Sequence, residues 1–194
     1  MQMPFDAGEM SDDALLVAYG RGDGRAARVL TDRLLPPVWR IARRILGDDA
    51  EAEDVAQDAM LRLWRIAPDW RPGEAKVMTW LYRVTVNLCT DRLRRSGRGV
   101  ALDAVAEPED DAPAASDRMV EADRAAALEA ALLDLPERQR QAVVLRHLEG
   151  LTNPEIAEIM EIGVEAVESL TARGKRGLAA LLAGRKEELG YGDD

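Results

Sequence analysis

The stretch Leu151-Thr152-Asn153-Pro154-Glu155-Ile156-Ala157-Glu158-Ile159-Met160-Glu161-Ile162-Gly163-Val164-Glu165-Ala166-Val167-Glu168-Ser169-Leu170 decides the fold. Thr152 followed three residues later by Glu155 is the pattern of a capping box. Its hydroxyl can take the amide of Glu155, and the Glu155 carboxylate can reach back to the amide of Thr152. Pro154 falls in the first helical turn, where a missing N–H costs nothing. The reading is a short helix over Glu155–Met160, a turn around Ile162-Gly163, and a longer helix over Glu165–Leu182. Helix, tight turn, helix is the helix-turn-helix order.

Upstream of it the pattern stays helical. Met119 to Leu133 forms one run. Leu135-Pro136 opens another, Glu137–Leu148, with Ala142, Val143, Leu145 and Leu148 toward a core and Gly150 as its stop. Before these the texture changes: AVAEPEDDAPAASD has prolines, small residues and acids without periodicity, so residues 98–118 are expected to be a flexible acidic linker.

The N-terminal half is a second helical unit. Ser11 can cap a short helix that ends at the Gly20–Gly24 break, and Arg25–Leu35 and Val38–Leu46 are expected as a pair kinked at Pro36-Pro37. After Asp48 and Asp49, apolar residues fall at 52, 55, 56, 59, 60 and 63, the spacing of an amphipathic helix that Pro68 ends. A loop over 68–75 containing Trp70 leads into a long helix, Ala75–Ser96, with a core stripe of Val77, Leu81, Val84 and Leu88. Its opposite stripe, Lys76, Thr79, Arg83, Asn87, Thr90 and Arg94, is polar along roughly 27 Å, enough to lie along an extended ligand. The expected architecture is all-α: a domain over 10–97, the linker over 98–118, and a second domain over 119–184.

The 194 residues exclude a large multidomain enzyme, and 47% apolar composition with 4% aromatics suits small helical cores. One cysteine, Cys89, and one histidine, His147, exclude a disulfide framework and a Cys/His zinc site built by this chain alone. No run approaches the roughly 20 apolar residues of a membrane span, and the N-terminus lacks a secretory pattern. A cytoplasmic location without membrane insertion is expected. Gly174-Lys175 is followed by Arg176 and makes no phosphate-binding loop, and no catalytic, metal-binding or cofactor constellation is present.

With 36 acids against 26 bases, the net charge of −10 argues against nucleic acid for the whole chain. Division by region reverses that. Residues 1–23 and 101–123 together carry −11, whereas residues 24–100 carry +5, with six acids at 48–58 and five arginines at 83–98. Residues 171–186 hold five bases and no acid. Phosphates are neutralised locally, so two such patches can meet DNA.

Three runs carry a family resemblance: Glu53-Asp54-Val55-Ala56-Gln57-Asp58-Ala59-Met60-Leu61-Arg62-Leu63-Trp64, Thr79-Trp80-Leu81-Tyr82-Arg83-Val84, and Asn87-Leu88 with Asp91-Arg92-Leu93-Arg94-Arg95. They resemble domain 2 of the extracytoplasmic-function (ECF) sigma factors. Leu135-Pro136-Glu137-Arg138, Leu145-Arg146-His147, Glu155-Ile156-Ala157 and Ala166-Val167-Glu168-Ser169 resemble domain 4 of the same family. The likeness spans about 12–96 and 119–183, with a linker where the family has one.

The resemblance implies a sigma factor that binds core RNA polymerase and promoter DNA. Asp54, Gln57 and Asp58 match the positions that dock on the polymerase clamp coiled coil, and their spacing sets them on one exposed face. Trp64, near that face, is either interface or core. Asn87 and Asp91 fall where the family reads unstacked −10 bases. Thr79 and Arg83 lie on the same stripe, Arg92, Arg94 and Arg95 suit phosphates, and Trp70 would wall a base pocket. Trp80 and Tyr82 are packing residues or stacking platforms. Domain 4 would sit under the polymerase flap and present Glu165, Glu168, Ser169, Arg173, Lys175 and Arg176 to the −35 element. Glu168 departs from the basic residue usual there; it accepts from cytosine N4 but repels phosphate.

The resemblance also implies control by an anti-sigma factor and no activity as an enzyme. Two other readings remain: a sigma-like decoy that sequesters an anti-sigma factor, and a repressor using only the helix-turn-helix. The arginines after Asn87 speak against the first and the acidic docking helix against the second. Cys89 reads as a small buried hydrophobe rather than a redox switch, and His147 as a capping or packing residue.

Overall fold

The computed structural model describes residues 10–97 and 117–183, and all its regular elements there are helical. Of the expected linker, residues 98–116 lie outside the described residues, as does position 184. Eight α-helices follow in order: α1 Asp12–Gly20, α2 Gly24–Leu46, α3 Asp49–Ile66, α4 Val77–Arg95, α5 Asp117–Leu133, α6 Glu137–Val143, α7 Asn153–Met160 and α8 Val164–Ala183.

The prolines do not split α2, which runs unbroken for 23 residues. A proline inside a helix costs about 3 kcal/mol. Against that, Leu30, Leu34, Val38, Ile41 and Ile45 are fully buried along one face, and each such burial contributes about 1.5–3 kcal/mol. Packing therefore overrides the local break. Gly47 ends the helix at φ 75°, its N–H bonded to the Arg43 carbonyl at 2.8 Å. It has a second role: a Cβ there would stand 2.6 Å from Leu133 Cδ1 of α5.

Helix α3 buries Ala52, Val55, Ala56, Ala59, Met60 and Leu63, the six positions its periodicity marks. Asp48 caps it, accepting from the Glu51 amide at 2.8 Å. Helix α4 departs from the single expected stripe. Val77, Leu81 and Leu88 are buried, but so are Thr79, Tyr82, Thr85, Val86, Cys89 and Leu93. Val84 is only half-buried. A helix buried on more than one side has neighbours on more than one side; α4 packs on α2 and α3 and also on α7.

The capping box forms as spaced. The Glu155 amide approaches Thr152 Oγ1 at 3.5 Å, and the Thr152 amide donates to Glu155 Oε2 at 3.0 Å. The turn differs in detail: Glu161, not Gly163, takes the left-handed conformation (φ 53°), and the Ile162 amide closes on the Ala157 carbonyl at 3.1 Å. Ahead of it, α6 passes into a π-helical stretch over Val144–Leu148, with the Glu149 amide bonded to the Val144 carbonyl at 3.0 Å. Gly174 lets α8 lie close on α6, since a Cβ there would meet Val143 Cγ2 at 2.5 Å.

The two helical units are not separate bodies. Their buried residues form one continuous core in which α2 contacts α5 and α6, and α4 contacts α7. Arg140 of α6 donates to the Ile45 carbonyl at 2.5 Å and to the Leu133 and Leu135 carbonyls at 2.8 and 3.1 Å. Glu149 accepts from Arg44 at 2.9 Å and Arg40 at 3.3 Å.

Candidate functional site

Three surfaces carry the residues singled out by the sequence. On α3, Asp54, Gln57 and Asp58 are exposed, opposite the buried Val55, Ala56 and Ala59. Leu61 extends this face; it is 51% exposed, and among the described residues it is the exposed large apolar side chain. Sequence reading passed over it, although an apolar residue off the 52-55-56-59-60-63 stripe is a visible signal. An exposed apolar side chain beside carboxylates is suited to protein contact. Trp64, two turns on from Gln57 at the edge of this face, is half-buried, its ring 4.7 Å from that of Tyr19 on α1.

The second surface is α4 with the loop before it. Trp70 is held by an indole N–H bond to Asp13 Oδ1 at 2.8 Å and meets Trp80 edge-on at 6.4 Å. Trp70, Trp80, Arg71, Glu74 and Arg83 line an open cavity of about 420 Å³, and Glu158 of α7 closes part of its rim. Asn87, Arg94 and Arg95 are exposed further along. Asp91 accepts from Arg94 at 2.8 Å. Arg92 lies toward α3 and pairs with Asp54 at 3.3 Å, which ties α4 to the acidic face.

Thr79 does not join the stripe, being only 9% exposed. Three further members are engaged by the C-terminal helices or lie against them. Lys76 Nζ pairs with Glu155 at 3.1 Å, Thr90 Oγ1 donates to Glu137 at 2.7 Å, and Arg83 shares its cavity with Glu158. Gln141, fully buried, donates to both Thr90 and Glu137 at 2.9 Å. Glu155 is held at a pKa of about 2 by the backbone N–H and hydroxyl of Thr152, with Lys76 adding to the effect.

The third surface is α8. Glu165, Glu168, Ser169, Arg173 and Arg176 are exposed; Glu168 lies 3.5 Å from the Asn153 amide nitrogen, and Arg173 donates to the Ser169 carbonyl at 3.3 Å. Lys175 is exposed too, two turns on from Glu168 along the edge of this face. It borders an apolar cleft of about 200 Å³ with Leu128, Leu132, Val143, His147, Leu148 and Leu178. His147 is exposed at that rim, and partial burial with Lys175 and Arg146 nearby holds its imidazole below the ordinary value. Cys89 is fully buried and its thiol is pushed well up by that burial, which makes it inert. Among the described residues no group of side chains is arranged to hold a metal ion.

Comparison with known proteins bears directly on these surfaces. The sigma-70 region 2 family matches residues 30–99, and the sigma-70 region 4 family matches residues 125–178. The ECF RNA polymerase sigma factor SigM of Mycobacterium tuberculosis is 36% identical over 174 residues, covering 90% of this chain and 86% of SigM. The chain belongs to the ECF RNA polymerase sigma factors. The ECF sigma factor SigW of Bacillus subtilis is 32% identical, over 81% of this chain and 89% of its own. A solved structure of CnrH in complex with the cytosolic domain of CnrY shares the fold, with a TM-score of 0.66 at 26% identity over 89% of this chain and 97% of that one.

As an ECF sigma factor the protein is not an enzyme. The three surfaces divide between the two family regions. The acidic face and the stripe of α4 fall within region 2, and α7 with most of α8 within region 4.

Proposed function

We propose that this ECF sigma factor directs core RNA polymerase to specific promoters in the cytoplasm. The acidic face of Asp54, Gln57 and Asp58, with Leu61 at its C-terminal end, docks on the polymerase clamp. Trp70, Arg83, Asn87, Asp91, Arg94 and Arg95 take the opened −10 strand. Glu165, Glu168, Ser169, Arg173, Lys175 and Arg176 read the −35 element. Initiation is binding work here, and bond formation belongs to the polymerase. Control by an anti-sigma factor belongs to the same reading.

The observation that carries it is the exposure on α3 of an acidic face that ends in an apolar residue, Leu61, beside the arginine-bearing end of α4, with the two helices joined by the Asp54–Arg92 pair. Among the described residues no helix is long and apolar enough to cross a membrane. Co-purification of the full chain with core polymerase tests the docking face. The wild type is expected to bind, and Asp54→Ala with Asp58→Ala to weaken binding by about tenfold or more. Equal binding by both would remove the assigned face.

A further inference from the structure

Trp70 stands in the loop between α3 and α4, and its ring walls the cavity that it shares with Trp80, Arg71, Glu74 and Arg83. The loop has little of its own to hold it. The Glu74 amide closes on the Arg71 carbonyl at 3.4 Å, and the side chains of the same two residues pair at 3.7 Å, both exposed, a contact that contributes little. Among the described residues, the one side-chain hydrogen bond from residues 70–75 to another element is that of the Trp70 indole N–H to Asp13 Oδ1 at 2.8 Å.

Asp13 is a fixed point. It lies in the first turn of α1, whose Leu15 and Leu16 are fully buried. Arg33 of α2 holds the start of that helix, donating to the Met10 carbonyl at 2.7 Å and to Asp12 at 3.1 Å. The far end of α1 lies against the turn Ala67–Asp69 that leads into Trp70, so closely that a Cβ on Gly20 would stand 2.5 Å from the Ala67 carbonyl oxygen. Helix α1 thus braces the loop at its backbone through Gly20 and at its ring through Asp13.

We infer that Asp13 is a positioning residue for capture of the opened −10 strand: it holds the edge of the Trp70 indole so that the ring stands ready as a stacking face for an unpaired base. This inference rests on the strand-capture role proposed above for Trp70. It extends that role to α1, which precedes the residues matched by the region 2 family. With its N–H committed to a carboxylate, Trp70 has no donor left for a base edge. Stacking is then its contribution, and every base offers a face for that. Choice among bases falls to the polar groups of the cavity, Arg71, Glu74 and Arg83. Loss of the Asp13 acceptor should weaken capture of all four bases alike, because a wall that must be ordered on binding lowers the affinity by the cost of ordering it.

The test compares Asp13→Asn with Asp13→Ala in the full chain bound to core polymerase. Both substitutions remove the negative charge, and only Asn keeps an oxygen for the indole N–H. The probe is a labelled promoter duplex, recovered with the wild-type protein from a genomic library and mismatched across the −10 element, with each base in turn at every unpaired position. Asp13→Ala is expected to bind about fivefold more weakly than Asp13→Asn, by the same factor for all four bases. In a Trp70→Phe background, which lacks the donor, the two should bind equally. Equal binding by the two variants with Trp70 in place would overturn the inference. So would a difference that persists with Trp70→Phe, since it would act through the fold of α1 rather than through the indole. A loss confined to one base would overturn it too, by making Asp13 a reader of that base. Failure to recover any promoter would be failure of the −10 reading itself, and the inference would fall with it; recovery followed by any of the other three results would overturn the inference alone.

Discussion

The guanidinium of Arg140 donates to the backbone carbonyl of Ile45 across 95 residues of sequence, at 2.5 Å. Ile45 lies at the end of α2 and Arg140 in α6, so one side chain joins the two family regions. The same group caps the Leu133 and Leu135 carbonyls and is only 9% exposed. Burial lowers its pKa, with Glu137 and Asp134 opposing that shift. A planar group with several fixed donors is required to serve three carbonyls at once.

Arg140→Met is therefore expected to leave those carbonyls unpaired and to cost about 3 kcal/mol. In a protein of this size the melting temperature, read by circular dichroism, should fall by about 6–12 °C. Arg140→Lys should recover only part, because an ammonium cannot reach all three acceptors. A melting temperature unchanged in both variants would refute the assigned role.

Glu155 gives a pH signature. Its pKa is lowered from 4.5 to about 2, so the unfolded chain binds more protons than the folded chain between those values. The stabilisation is complete above about pH 4.5 and is lost as pH falls through about 2. The side-chain carboxyl resonance of Glu155 should titrate near 2, and Thr152→Ala, which removes the hydroxyl donor, should move the midpoint upward. A wild-type midpoint near 4.5 would contradict the capping box as the dominant influence.

Glu168→Lys tests the departure from the basic residue usual in the family. Glu168 is exposed and the amide nitrogen of Asn153 is 3.5 Å from it, so stability should change by no more than about 0.5 kcal/mol. Preference among upstream elements, measured by selection from a randomised promoter pool, should shift by about 1–3 kcal/mol at one base position. The same preferred sequence from both proteins would remove Glu168 from the reading surface.

Features encoded by local spacing were legible in the sequence. The six buried positions of α3 follow its apolar period, and the Thr152–Glu155 cap and the helix-turn-helix follow from residues within a few positions of one another. The exposed acids of α3 and most basic residues of α4 and α8 lie on the surfaces expected for them. What failed depends on distant neighbours. Arg25–Leu35 and Val38–Leu46 read as two runs because the buried face that holds α2 as one helix across Pro36-Pro37 is a tertiary property. Thr79 read as part of an exposed stripe, and nothing local marks it as buried. Thr85, fully buried, satisfies its hydroxyl on the Leu81 carbonyl at 2.8 Å, which a sequence pattern does not show. The packing of region 4 on region 2 has no sequence signature, since a polar stripe that meets DNA and one that meets carboxylates look alike.

The central claim is promoter-selective initiation. Purified full-length protein, core polymerase and a genomic promoter library in a run-off transcription assay test it most directly, with no anti-sigma factor present. The account predicts transcripts from a small set of promoters sharing −35 and −10 elements, absent with core alone and reduced when Asn87 and Arg94 are both changed to alanine. Transcription no more selective than that of core polymerase alone would contradict it.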